Sequence, residues 1–476
     1  MEPVWVSVEN PNLARYEWFE TSWLCEGATI RQTFCSGRAS CPHMAPSRRT
    51  ALAATAGATL TLAHGIEQNS AVTSDSPVAV REWIRRTAIP LRTPVAGHGL
   101  DDMAPLRKIV GDARIVALGE ATHGTREFFQ LKHRMLEFLV TQMGFSIFSI
   151  EASMPESYRL NDFILKGEGD PAELLKGPLS LWNTQEIFDM VLWMRELNAS
   201  HKGRVEFTGF DMQNPTLAIE IIRNFVTKTD SEFIADFERA SRMVLAMNPR
   251  SVDPAVTVEW AKVVTHLESL RPRPGVEWAI QNARVVLQFV QWAANLMKRP
   301  VSMAMRDASM AANVKWILDQ SKGAKVVLSA HNFHTMTGPL NPNQPGPDDS
   351  MGAVLRKTYG KELVTCGFVF NQGSFRARAN NGGMQNFTVG PLPAGSLDAT
   401  LAASGLPLFA LDLRTAPKDG PVAEWLAAKH HTRNIMAGFS EDAPNYTIFE
   451  QVVRERYDCL FFVEQTTAAR PIAKLE

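Results

Sequence analysis

Four short apolar runs in this sequence each lead into an ionisable side chain. The run "ARIVALGE" (113–120) ends in Glu120, and His123 follows three residues on, between Gly119 and Gly124. The run "SIFSIE" (146–151) ends in Glu151, "VEFTGFD" (205–211) in Asp211, and "KVVLSAH" (325–331) in His331, with His334 just beyond. Histidines and carboxylates in this number support two chemistries. An imidazole tuned by carboxylates serves as a general base that activates water near neutral pH. The same donors suit zinc or manganese. Taken singly, each strand-end acid has an ordinary reading as a helix cap or a solvated loop residue. Burying carboxylates without partners costs several kcal/mol, so four runs sharing the pattern point to one shared site.

For these side chains to meet, the runs must be neighbouring strands of one sheet. After Glu120 the apolar residues Phe128, Leu131, Met135, Leu136 and Leu139 fall three and four apart, which predicts a helix from about Thr125. Glu120 and His123 then lie in the turn at the carboxyl end of a strand, where open α/β sheets bind ligands. Strands are expected at 115–118, 146–151, 205–210, 325–330, 363–370, 407–411 and 459–463, with helical patterns between the first three. Alternation of this kind signals parallel βα units, so the fold class is α/β, a central largely parallel sheet flanked by helices. Between 213 and 322 strand character almost vanishes, and an all-helical insertion over one end of the sheet is expected. Its tryptophans Trp260, Trp278 and Trp292 read as core. His133 reads as a surface residue. The polar stretches 370–388 and 333–350 are candidate rims of a cleft.

Composition narrows the field. With 476 residues, 45 % hydrophobic and 21 % charged, the chain has ample core, and a net charge of −1 disfavours a nucleic-acid partner. No apolar run approaches the roughly 20 residues of a membrane span. Five cysteines, none in a CxxC pair, predict neither a zinc site nor a disulfide framework. There is no G-x-S-x-G, H-E-x-x-H or G-x-x-x-x-G-K-[ST], and "GEGDPA" (167–172) mimics a dinucleotide fingerprint only superficially, since it follows a helical pattern. Arg48-Arg49 ahead of "ALAATAGATLTLA" (51–63) resembles a twin-arginine export signal, although Ala51 stands where phenylalanine is usual. On that reading 44–75 is signal and linker, and 1–43 is upstream sequence or a disordered arm carrying Cys25, Cys35 and Cys41. The mature enzyme is then periplasmic or otherwise exported, and cytoplasmic only if the signal is unused.

The motifs "GEATHGTREFFQLKHRMLEFLV" (119–140), "GFSIFSIEAS" (144–153), "GFDMQ" (209–213), "SAHNFH" (329–334) and "YDCLFFVEQTTAARP" (457–471) resemble the erythromycin esterase family. The resemblance spans residues 80–475, and the order and spacing of the motifs make it specific. It implies an α/β core with a helical insertion, and hydrolysis of a macrolide lactone by activated water without a serine acyl-enzyme. It further implies that His123 is the general base, that Glu120, Glu151 and His331 complete the catalytic set, and that His334, Lys132, Arg134 and Asp211 bind substrate or the oxyanion. Lys132 stands where relatives often carry arginine. No metal or cofactor is expected, because Glu120 and His123 sit at a turn with cations nearby rather than in a closed ligand cage. The expected partner is a small-molecule ester, met by a monomer. The alternative is a metal-binding or carbohydrate-associated protein, as in polysaccharide biosynthesis, using the same Glu/His cluster.

Overall fold

In the computed structural model the described residues are 76–340 and 349–472, so the arm 1–43, the signal and linker 44–75, and residues 341–348 of one candidate rim lie outside them. Among the described residues eleven strands form: β1 Ile89–Pro90, β2 Ile115–Leu118, β3 Ile147–Ser153, β4 Glu206–Asp211, β5 Val326–Ser329, β6 Leu363–Arg378, β7 Met384–Val389, β8 Leu408–Asp412, β9 His430–Arg433, β10 Ile448–Gln451 and β11 Cys459–Thr466. Nine make one sheet in the order β1-β8-β11-β6-β2-β5-β3-β4, with β7 paired to β6. The run from β11 to β4 is parallel, and β8 and β1 close one edge antiparallel. Strands β9 and β10 pair as a separate ribbon.

The continuous apolar character of the central strands follows from burial on both faces. Val116 and Leu118 of β2 pack on one side with Phe128, Leu131 and Phe368, while Ile115 and Ala117 pack on the other with Met310, Val314 and Leu328. Register then aligns the strand ends. Leu118 and Ile150 both pair with Ser329, and Ile150 also pairs with Gly209. The residues that follow these positions therefore emerge at one level of the sheet. The chain runs from β2 towards β3, and later crosses from β5 over β2 to β6. That reversal leaves a crevice at the carboxyl ends beside β2.

Residues 216–320 are helical, as Thr216–Thr229, Ile234–Ala246, Pro254–Ser269, Val276–Ala293 and Arg299–Gln320 with a short 3-10 turn between the first two. The first four share a core of their own around the fully buried Trp260, whose indole N–H donates to Ala283 O at 2.8 Å. Trp278 and Trp292 pack against the sheet-side core. The Arg299–Gln320 helix differs from the rest. Met310, Val314, Ile317 and Leu318 bury it directly on the sheet, so it acts as the crossover helix leading into β5. The candidate rim 370–388 is a hairpin: β6 runs on to Arg378 and returns as β7. Phe375 and Ala377 point inward while Arg376 and Arg378 point outward, the period-two pattern of a strand with one buried face.

Candidate active site

The first motif turns sharply between β2 and the Arg126–Met143 helix, and its two glycines are required by close approach. A Cβ on Gly119 would lie 2.2 Å from Asn332 Oδ1, and one on Gly124 would lie 1.8 Å from Arg376 O. The fourth motif grips the first. Asn332 N–H donates to Glu120 O at 2.9 Å, and the Asn332 side chain donates to Phe368 O and Asn434 Oδ1 at 2.9 Å each. Ile435 N–H closes the other side, donating to Ala121 O at 2.6 Å.

Within this frame Glu120 accepts from His123 Nδ1 at 2.7 Å and from Lys132 Nζ at 2.5 Å. Lys132 lies nearly two turns along the helix that starts at Arg126, is fully buried, and also donates to Ser329 Oγ at 2.9 Å. Burial disfavours the Glu120 carboxylate, yet Lys132 and His123 outweigh it and hold the group down at about 2. Burial lowers the Lys132 pKa, against the pull of Glu120. His123 is 8 % exposed, with Trp182 edge-on at 6.4 Å and the His331 ring at 5.2 Å.

A second cluster adjoins the first. Glu151 accepts from His331 N–H at 2.8 Å on one oxygen, and from Arg306 at 2.9 Å and His334 Nε2 at 3.2 Å on the other. Arg306 also binds Asp211 at 2.7 Å, and Asp211 caps the Met212 N–H. His334 Nδ1 donates to Asp307 at 2.9 Å. Burial alone would strip the His334 proton, but Asp307 and Glu151 raise the group to about 10. Carboxylates at both ring nitrogens thus favour the imidazolium form of His334. Its neighbour is the reverse: burial and the nearby His123 push His331 down to about 3. The neutral His331 ring accepts Phe333 N–H at Nδ1 and donates from Nε2 to Ile435 O at 3.2 Å. Among the described residues no group of three or more His, Cys, Asp or Glu is arranged to hold a metal ion.

These placements sort the residues singled out in the sequence. Glu120, His123, Lys132, Glu151, Asp211, His331 and His334 converge. Arg134 does not. Two positions beyond Lys132 is about 200° around the helix, and Arg134 points away to bind Asp102 at 2.6 and 3.1 Å and the carbonyls of Thr93 and Gly99. It ties the helix to the 93–102 loop and is not a substrate or oxyanion group. His133 is not on the surface either. It is half-buried with its ring 5.3 Å from Trp193, and burial lowers it to about 4. The ring donors of His334, expected to bind substrate or the oxyanion, face Asp307 and Glu151, and that of His331 faces Ile435 O. Sequence reasoning missed Arg306, Asp307 and Trp182. A signal existed for Asp307: Met310, Ala311 and Val314 lie three, four and seven residues on, so a charged residue sits in the apolar stripe of its helix.

His334 also sets a testable pH dependence. A group whose folded pKa is raised contributes stability that is complete below its unfolded value and lost as pH climbs through the folded one. For His334 that window runs from 6.5 to about 10. The melting temperature should fall across it, and His334→Gln should flatten the fall. Parallel slopes in calorimetry would remove His334 as the cause.

The sequence matches the profile of the family described as Erythromycin esterase over residues 140–466. An erythromycin esterase type II of Escherichia coli is 25 % identical over 378 residues, covering 71 % of this chain and 90 % of the relative. A putative hydrolase of Bacillus subtilis is 22 % identical over 424 residues, covering 81 % and 90 %. Among solved structures, a succinoglycan biosynthesis protein superposes with a TM-score of 0.73 at 24 % identity, covering 84 % of this chain and 99 % of its own. An erythromycin esterase mutant, EreC in its open conformation, gives 0.62 at 15 % identity over 79 % and 96 %. The structural likenesses carry the fold, the profile carries the family, and the chain belongs to the erythromycin esterase family, whose class of activity is ester hydrolysis.

Proposed function

We propose that this enzyme opens the macrocyclic lactone of erythromycin-type macrolides, with water activated by His123 as the nucleophile. The observation that carries the reading is the buried Lys132–Glu120–His123 relay, at 2.5 and 2.7 Å. Glu120, kept ionised by Lys132, accepts the Nδ1 proton of His123 and so favours the tautomer whose lone pair is on Nε2. Water adds to the ester carbonyl carbon as His123 takes its proton. Collapse of the tetrahedral species breaks the acyl carbon–alkoxy oxygen bond, and His123 returns the proton to the alkoxide. The products are a carboxylic acid and an alcohol in one opened chain.

Electrostatics support the transfer. Glu120, Glu151, Asp211 and Asp307 face Lys132, Arg306 and the His334 imidazolium, so the named groups carry one excess negative charge while His123 is neutral. A proton arriving on His123 balances it. Trp182 gives the ring an apolar wall, which suits a large apolar substrate. The test is incubation with erythromycin, read by mass spectrometry. Gain of one water supports the reading. Unchanged macrolide, with turnover of a carbohydrate ester instead, favours the polysaccharide-associated alternative.

Export through the Arg48-Arg49 signal belongs to the same proposal. N-terminal sequencing of protein from fractionated native cells should find a non-cytoplasmic product beginning between about residues 64 and 80. A cytoplasmic product beginning at Met1 would overturn this.

A further inference from the structure

We propose that Asp307 is a positioning residue of the hydrolytic site, holding His334 as an imidazolium locked between two carboxylates so that Glu151 stays fixed and charged beside His123. The inference rests on the reading of the site as hydrolytic, and it starts from hydrogen-bond arithmetic. His334 is 1 % exposed, and each ring nitrogen faces a carboxylate: Nδ1 faces Asp307 at 2.9 and 3.0 Å, and Nε2 faces Glu151 at 3.2 Å. A carboxylate only accepts, so protons on both nitrogens satisfy both contacts, and the alternative for Nε2 is the longer approach of Arg306 NH1 at 3.4 Å. A neutral ring would aim one lone pair at a buried anion.

Asp307 is built for this task. It is fully buried and is itself aimed by the Met351 N–H at 2.6 Å, from the start of the Met351–Tyr359 helix. The other groups around His334 leave no substitute for it. Arg306 NH1 lies 3.4 Å from Nε2 and repels a protonated ring. His331, on the same turn, is neutral and bound to backbone. Tyr457 is spent on Asn332 O, and Glu120 is saturated by Lys132 and His123. Glu151 divides its charge between Arg306 and His334. Asp307 is thus the anion that keeps the His334 proton in place next to Arg306.

The adjacency of Arg306 and Asp307 adds a second consequence. One residue holds Asp211 and Glu151, the next holds His334, and both sit on the helix that also adjoins the helical segment through Gln281–Asn313 at 2.8 Å. Any change in the seating of that helix moves both supports of Glu151 together.

The test uses the full chain labelled at histidine, with ring resonances followed by NMR across pH 5 to about 10 and His334 assigned by its loss in His334→Gln. In the wild type His334 should stay protonated through about pH 9. In Asp307→Asn, which keeps shape and an acceptor for Met351, it should titrate between about pH 6 and 8, near an ordinary imidazole. Activity relative to the wild type should fall as pH rises, to about tenfold or more below it at pH 9. Asp307→Glu should move His334 back towards the wild type. A wild-type His334 that is neutral at pH 8, or one that titrates alike in wild type and Asp307→Asn, overturns the proposal. If the titrations behave as described and no ester is cleaved, the reaction assignment fails while the role of Asp307 towards His334 stands.

Discussion

His123→Asn is expected to lower kcat by about 10²–10⁴-fold, the usual worth of a positioned general base, with the fold intact. The asparagine amide can still donate to Glu120 from near the Nδ1 position, so the Lys132–Glu120 pair is not stranded. What disappears is the Nε2 lone pair that accepts the proton from water. The change removes only part of a ring that keeps 8 % exposure, so it opens little cavity. Circular dichroism and the melting temperature should match the wild type. Retention of more than about a tenth of the activity would remove His123 from that role.

The largest effect on stability is expected at Arg306. Replacing it by methionine should cost about 3–5 kcal/mol, the range for stripping one partner from a buried ion pair. Asp211 and Glu151 both depend on it, at 2.7 and 2.9 Å. Glu151 keeps His334 and the His331 N–H, whereas Asp211 is left with the Met212 N–H. The damage should therefore concentrate on Asp211, and adding Asp211→Asn should recover part of it by removing the unpaired charge. Urea unfolding of the single and double variants measures both effects. A loss below about 1 kcal/mol for the single variant would mean that the guanidinium is not the counter-charge described here.

The strands and the site were legible in the sequence for the same reason. A parallel strand buried on both faces reads as an unbroken apolar run, and the acid or histidine that ends it lies within two residues of the carboxyl end of the strand. Glu120, Glu151, Asp211 and His331 were each marked by that contrast. Lys132 was found through its place in the first motif, but the same reasoning brought in Arg134, because closeness in sequence does not mean a shared face of a helix. Arg306 and Asp307 lay in the segment read as a separate insertion. Only the packing of the Arg299–Gln320 helix against the sheet turns its polar residues into neighbours of Glu151 and His334. The continuation of β6 into β7 was missed because "RANNGG" turns the chain amid polar residues. Buried and exposed positions alternate there, so no long apolar run announces the hairpin.

Direct attack by His123-activated water is best probed by a single turnover of erythromycin with enzyme in excess in water enriched in oxygen-18. Acid-quenched samples are read by mass spectrometry for both product and protein. Direct attack places one heavy oxygen in the product carboxylate in the first turnover and leaves the protein mass unchanged. A trapped acyl-enzyme, or an unlabelled first product with the label later found on a Glu120 or Glu151 peptide, would contradict it.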